Sequence, residues 1–154
     1  MTRNTLIVLA FGGSALLLAG AFAFQHLGGL APCAMCLWQR WPHAAAVLIG
    51  IVALMLRGPA LPLLGALAAA VTSGLGIYHT GVERDWWEGP SSCTSSGPGL
   101  SGLSGSDLLS VDTAPQLVLC DQVAWEMLGL SMASWNALWS AMLVGLWLLA
   151  ARRA

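Results

Sequence analysis

LSMASWNALWSAMLVGLWLLAA, Leu130–Ala151, is a run of 22 residues without a charge. As a helix rising 1.5 Å per residue it reaches about 33 Å, enough to cross a hydrocarbon core of ~30 Å. The same reading works outward from it. Between Arg3 and Glu83 the only charged residues are Arg40 and Arg57, and three more stretches, 5–24, 37–56 and 61–78, are apolar enough to span. Gly and Pro inside such segments are no objection, because both are commoner in membrane helices. The expectation is an all-α membrane protein. It is a four-helix transmembrane bundle forming one integral domain over 1–154, with two loops, 25–36 and 79–129, on one side.

Composition supports this. Of 154 residues, 57% are hydrophobic and 8% are charged, against roughly 25% charged in soluble domains. Six arginines, no lysine and seven acids cannot cover a water-soluble globule. A net charge of −1 offers no basic surface to phosphates, so nucleic-acid binding is excluded.

The arginines orient the chain. Arg3, Arg57, Arg152 and Arg153 fall at ends or turns that alternate to one side, which the positive-inside rule makes cytoplasmic, termini included. All seven acids lie between Glu83 and Glu126, in the long loop opposite. The first segment has a second reading as a cleaved signal peptide ending near Ala21-Phe22-Ala23. Its 20 apolar residues exceed the usual core of about 7–15, so retention is expected.

Within the long loop, Ser91–Ser106 holds seven Ser, four Gly and one Pro, the composition of a flexible tether. Leu108–Leu119 carries a weak signal for a short interfacial helix. Trp86, Trp87 and Trp125 are expected at headgroup level.

Cys33, Cys36, Cys93 and Cys120 all fall in the two loops. On the periplasmic side of a bacterial inner membrane disulfides persist. Four cysteines allow three pairings, and spacing favours Cys33 with Cys36 and Cys93 with Cys120. Cys33-Ala34-Met35-Cys36 is a Cys-x-x-Cys arrangement, whose potential the surroundings tune widely. Pro32 suits a helix start, where the dipole favours a thiolate. A helix from near Cys33, kinked at Pro42, puts Cys33, Cys36 and Arg40 at i, i+3 and i+7 on one stripe. Arg40 then favours a Cys36 thiolate and offers donors to a carbonyl oxygen. A static staple remains a reading of the Cys-x-x-Cys, and interface anchoring a reading of Arg40. His26, His43 and His79 are placed at the ends of segments as structural residues. The gaps between cysteines lack the paired knuckles of zinc folds, so no metal is expected.

Pro32-Cys33-x-x-Cys36-Leu37-Trp38-Gln39-Arg40, together with Cys120 and Trp125-Glu126-x-Leu128-Gly129-Leu130-Ser131-Met132-x-x-Trp135-Asn136, resembles the disulfide bond formation protein B (DsbB) family over nearly the whole chain. Pro42 is a departure from that pattern, and Gly89-Pro90-Ser91-Ser92 matches it loosely. The resemblance implies an inner-membrane thiol oxidase that reoxidises DsbA, a periplasmic thioredoxin-fold protein, and passes electrons to a membrane quinone, ubiquinone or menaquinone. This relay is known to keep the bacterial periplasm oxidising. Carried over by position, the reduced partner attacks Cys93–Cys120 and forms a mixed disulfide with Cys93. Cys120 then engages Cys33, freeing Cys36 as the thiolate that faces the quinone. Arg40 matches the quinone-site arginine and His79 a histidine near it. DsbA is itself strongly oxidising, at about −120 mV, so its reoxidation needs an acceptor of higher potential, which a quinone pool supplies and glutathione does not. Two other readings stand beside this one: a non-catalytic four-helix scaffold with static disulfides, and a quinol-linked thiol reductase. The latter is similar to the vitamin K epoxide reductase family, where the Cys-x-x-Cys follows the loop pair instead of preceding it.

Overall fold

A computed structural model describes residues 1–91, 93 and 119–153. Within them the chain forms four long helices: α1 Arg3–His26, α2 Ala34–Met55, α3 Ala60–Glu83 and α4 Met132–Ala151. A two-residue hairpin, β1 Glu126–Met127 with β2 Leu130–Ser131, leads into α4. Most of the proposed tether and the candidate interfacial helix at 108–119 lie outside the described residues.

Local chemistry sets the helix starts. Thr2 and Ser131 cap α1 and α4 by accepting from the backbone N–H three residues on, and Cys33 caps α2 the same way through its sulfur. Each satisfies one of the four donors a helix start leaves open. α3 ends in a Schellman arrangement. Asp85 turns left-handed at φ 55°, Trp86 N–H bonds Gly81 C=O at 2.9 Å, and Asp85 N–H bonds Val82 C=O at 3.3 Å. The hairpin pairs Glu126 with Ser131 and Met127 with Leu130 around Leu128 and Gly129, both at positive φ, as a two-residue primed turn requires.

Around the bundle α1 packs on α2 and α4, and α3 packs on the same two from the opposite side. The core at the end bearing the termini is built of Leu6, Ile7, Ala10, Ala53, Ala66, Leu143 and Trp147. Small residues let the helices close up. At Gly76 an added Cβ would lie 3.0 Å from Ala133 O and Ala137 N, so α3 and α4 meet there backbone to backbone. At Gly65 the space is taken by the Trp147 ring. The outward faces are apolar instead: Leu16, Leu48, Met55, Leu67 and Met142 are all well exposed. Such an exterior suits lipid, not water.

α1, α3 and α4 are each long and apolar enough to cross a membrane. α2 has 22 residues but interrupts its apolar run with Gln39, Arg40 and His43. α2 begins at Ala34, with Cys33 as its cap, and runs on as helix through Pro42, as the start expected near Cys33 requires. Two expectations change in detail. The third segment does not stop at Tyr78, since the helix continues to Glu83 and carries His79 with it. His43 is not at a segment end; it lies nine residues into α2 and is buried.

Candidate active site

The α2 cap brings two thiols together. Cys33 Sγ accepts from Cys36 N–H at 3.2 Å, which turns it over the first turn and leaves it 2.9 Å from Cys36 Sγ. Both are free thiols. Cys93 and Cys120 form a disulfide, Cα atoms 5.3 Å apart, so one of the two pairs favoured by spacing is bonded, while Cys33 and Cys36 stand together as thiols. Cys33, Cys93 and Cys120 belong to one buried cluster with Met35 and Val82, Cys36 packs against it, and Cys120 is 0% exposed. Val82 sits in the last turn of α3, so the unanticipated extension of that helix forms the floor under the sulfurs.

His79 is brought in by the same extension. Its Nε2 is 3.6 Å from Cys33 Sγ and its Nδ1 is 2.9 Å from Gln39 Nε2. It also hydrogen-bonds the Cys120 backbone. The Gln39 amide donates, so His79 Nδ1 accepts and the ring proton sits on Nε2, facing the Cys33 sulfur. The network continues across the bundle. Asn136 Nδ2 donates to Gln39 Oε1 at 2.6 Å, and Asn136 Oδ1 is 2.8 Å from His43 Nε2. His43 Nδ1 is buried and has no hydrogen-bond partner among the described residues.

Cys33 and Cys36 occupy the cap and first turn of α2, ahead of its apolar run from Leu37. Donating its S–H to Cys36, and burial, raise Cys33 far above the ordinary thiol range. Receiving that hydrogen bond lowers Cys36 to about 7 against the opposing effect of burial. The Arg40 charge adds to the lowering as a lesser cause. Cys36 is therefore the sulfur that ionises.

Arg40 does not bond Cys36 directly. Its Nη1 donates to Gln25 Oε1 at 2.6 Å and its Nη2 to Ala21 O at 3.4 Å, with the guanidinium carbon 5.0 Å from the Phe22 ring centroid. It is thus fixed against α1. Between α1, α2 and α4 lies a cavity of about 450 Å³, whose lining includes Cys36, Arg40, His43, His79 and Trp139. Leu16, 75% exposed on α1, also lines it, so the cavity reaches the lateral face of the bundle. Its volume lies in the range of small-molecule sites, and its mostly apolar wall with a few converging polar groups is their usual make-up. Cys33, Cys36 and His79 also place three metal-ligating atoms within 4.8 Å of one another.

Sequence reasoning brought together Cys33, Cys36, Cys93, Cys120, Arg40 and His79, and the structure gathers the sulfurs and His79 in one cluster with Arg40 beside them. It gave no part in the site to Gln39, His43, Asn136 or Glu83, reading His43 as structural and Glu83 as a loop acid. The available signal was polarity within apolar segments, since such groups are costly in a membrane unless they serve the interior.

Comparisons with known proteins identify the family. Residues 3–150 match the family model described as disulfide bond formation protein DsbB. A protein of Azoarcus sp. (strain BH72) named disulfide bond formation protein B is 32% identical, over 98% of this chain and 95% of the relative. Namesakes in Stutzerimonas stutzeri, at 33% over 88% and 86%, and Xanthomonas oryzae pv. oryzae, at 34% over 94% and 87%, are similar to it as well. No solved structure matches the chain. With two cysteine pairs gathered together and a family match along nearly its whole length, the chain belongs to the disulfide bond formation protein DsbB family.

Proposed function

We propose that this membrane-embedded, disulfide-forming oxidoreductase reoxidises a periplasmic DsbA-like thioredoxin-fold protein and passes the electron pair to a membrane quinone, ubiquinone or menaquinone. In this reading the chain is a single domain crossing a bacterial inner membrane four times. Both termini are cytoplasmic, and the cysteine end of the bundle is periplasmic. The gathering of both cysteine pairs beside one laterally open cavity is the observation that carries the reading.

The exchange proceeds by in-line attack of a thiolate on a sulfur. A thiolate of the reduced partner attacks Cys93, breaking Cys93–Cys120 and releasing Cys120 as thiolate. The partner's second thiol resolves the mixed disulfide, so the partner leaves oxidised. With Cys33–Cys36 in its disulfide state, Cys120 attacks Cys33 and Cys36 departs as the thiolate. Cys93 then displaces Cys33, and the electron pair rests on Cys33 and Cys36.

The hydrogen bond from Cys33 lowers the cost of the negative charge on Cys36. His79 holds a proton on Nε2 against Cys33. When bound, a quinone accepts two electrons and two protons. Cavity size, apolar walls and the Arg40 donors fit such a ring with oxygens at its edge. Arg40 would hold one oxygen, with Cys36 and His79 beside the ring.

The test is purified protein with a reduced DsbA-type partner and a soluble quinone. Thiols should disappear as quinol forms, one for one in electron pairs, and Cys36→Ser should stop turnover. Partner thiols that persist in the presence of quinone, or full activity in Cys36→Ser, would reject the reading in favour of a static scaffold. Net flow from quinol to partner would make the protein a reductase.

A further inference from the structure

Three metal-ligating side chains converge at the head of the cavity, with a fourth beside them. Cys33 Sγ, Cys36 Sγ and a His79 ring nitrogen lie within 4.8 Å of one another. The fourth is Glu83, one turn beyond His79 on α3, with Oε1 3.9 Å from His79 Nε2. Its side chain is 5% exposed, and Oε2 is buried without a hydrogen-bond partner among the described residues. Ser131 hydrogen-bonds this carboxyl and the Arg84 charge acts on it, yet Oε2 itself is left without a donor, which is costly for a buried oxygen. A cation at this corner would give that oxygen a partner.

Geometry agrees. Tetrahedral zinc, with bonds of about 2.3 Å to sulfur and 2.0–2.1 Å to nitrogen, sets neighbouring ligand atoms roughly 3.3–3.8 Å apart. Cys33 Sγ and His79 Nε2 already have that spacing at 3.6 Å. The two sulfurs, at 2.9 Å, need only a small rotation of Cys36, which is only partly buried. To ligate through Nε2, His79 must carry its proton on Nδ1, and turning over the Gln39 amide gives that proton an oxygen acceptor. All four residues line the same cavity, so an entry path exists.

We propose that Cys33, Cys36, His79 and Glu83 form a binding site for one thiophilic divalent cation, zinc above all, that exists only while Cys33 and Cys36 are reduced. Binding exchanges two thiol protons for the cation and changes no oxidation state. Forming the Cys33–Cys36 disulfide removes both sulfur ligands and expels the metal. The inference goes beyond the proposed oxidase, because its readout needs neither partner nor quinone.

The probe is Co²⁺, whose thiolate charge-transfer and tetrahedral d–d bands report the ligand set. It is titrated into the full chain in detergent, reduced and freed of reductant, and then displaced by Zn²⁺. The reduced protein should take up one equivalent with both band sets, and protein oxidised at Cys33–Cys36 should show neither. Cys93→Ser/Cys120→Ser should bind as the parent does. Cys36→Ser should lose about half the charge-transfer intensity, and Glu83→Gln should weaken binding at least tenfold. Absence of bands in the reduced parent, equal binding by the oxidised form, or bands that vanish in Cys93→Ser/Cys120→Ser and persist in Cys36→Ser would each overturn the proposal.

Discussion

Gln39 and Asn136 stand 97 positions apart in the sequence, yet Asn136 Nδ2 donates to Gln39 Oε1 at 2.6 Å across the bundle. Thr72 also donates to the Gln39 carbonyl at 3.1 Å, so three helices meet at this residue. Buried polar groups joined this way fix one arrangement of helices whose apolar contacts alone would tolerate several. Removing either amide strands the other, at about 1–3 kcal/mol. Asn136→Leu and Gln39→Leu should each lower stability by that amount. The double variant should cost less than the sum, with a coupling of about 0.5–3 kcal/mol. Denaturant titration of the four proteins in one detergent measures it, and strict additivity would contradict the contact.

The close approach of α3 and α4 depends on one missing methyl group. Gly76→Leu should destabilise by about 1–3 kcal/mol, because the added atoms meet the Ala133 and Ala137 backbone, which cannot yield. Gly74, two residues away, has nothing within 4 Å of an added Cβ. Gly74→Ala should be neutral, or stabilising by up to about 1 kcal/mol through helix propensity. Thermal unfolding of the pair separates packing from a general intolerance of glycine replacement.

Cys36 should react with alkylating reagents as a thiolate while Cys33 stays protonated. Its pKa of about 7 lies below the ordinary cysteine value, so the anion is present above that pH and lost as pH falls through it. Alkylation of Cys36 in the reduced Cys33–Cys36 form, followed by mass spectrometry, should therefore be half-maximal near neutrality. Cys33→Ala removes the S–H donor, and the midpoint should move up toward the usual thiol range. A midpoint that stays in place would assign the ionisation to another cause.

Arg40 makes two hydrogen bonds to α1 from a planar fork, which a lysine cannot reproduce. A hydrogen bond involving a charged group is worth about 1.5–3 kcal/mol. On the proposed function, Arg40→Lys should raise the KM for quinone about tenfold or more, with the KM for the thiol partner unchanged. An equal rise in both would make Arg40 a general structural residue.

The course of the membrane helices was legible because a run of twenty uncharged residues has few other uses, and Leu130–Ala151 announces itself by length alone. The Cys-x-x-Cys at a helix start was legible too, since Pro32 and the cysteine spacing are local signals. The last turn of α3 was not. Its residues, from His79 to Glu83, read as polar and glycine-containing, and what keeps them helical is tertiary. Val82 is buried among the sulfurs, the Trp87 ring covers Gly81, and Arg84 Nη2 donates to Gly129 O at 2.7 Å. His43 was misplaced for a related reason. The group that satisfies it, Asn136, is 93 residues distant, and no window along the chain contains both. Glu83 looked like one more acid of a charged loop until the helix carried it under the thiols.

The row of groups from His79 through Gln39 and Asn136 to His43 has a polarity, because each amide gives a proton at one end and takes one at the other. In the arrangement described, His79 aims its N–H at Cys33, and His43, a residue of the cavity wall, keeps a bare lone pair on Nδ1. Move the His79 proton to the other ring nitrogen and both amides turn over, so that His43 must present an N–H in its place. What the thiol corner does with one proton is thereby legible at the far wall of the cavity as a donor exchanged for an acceptor, with every helix standing still.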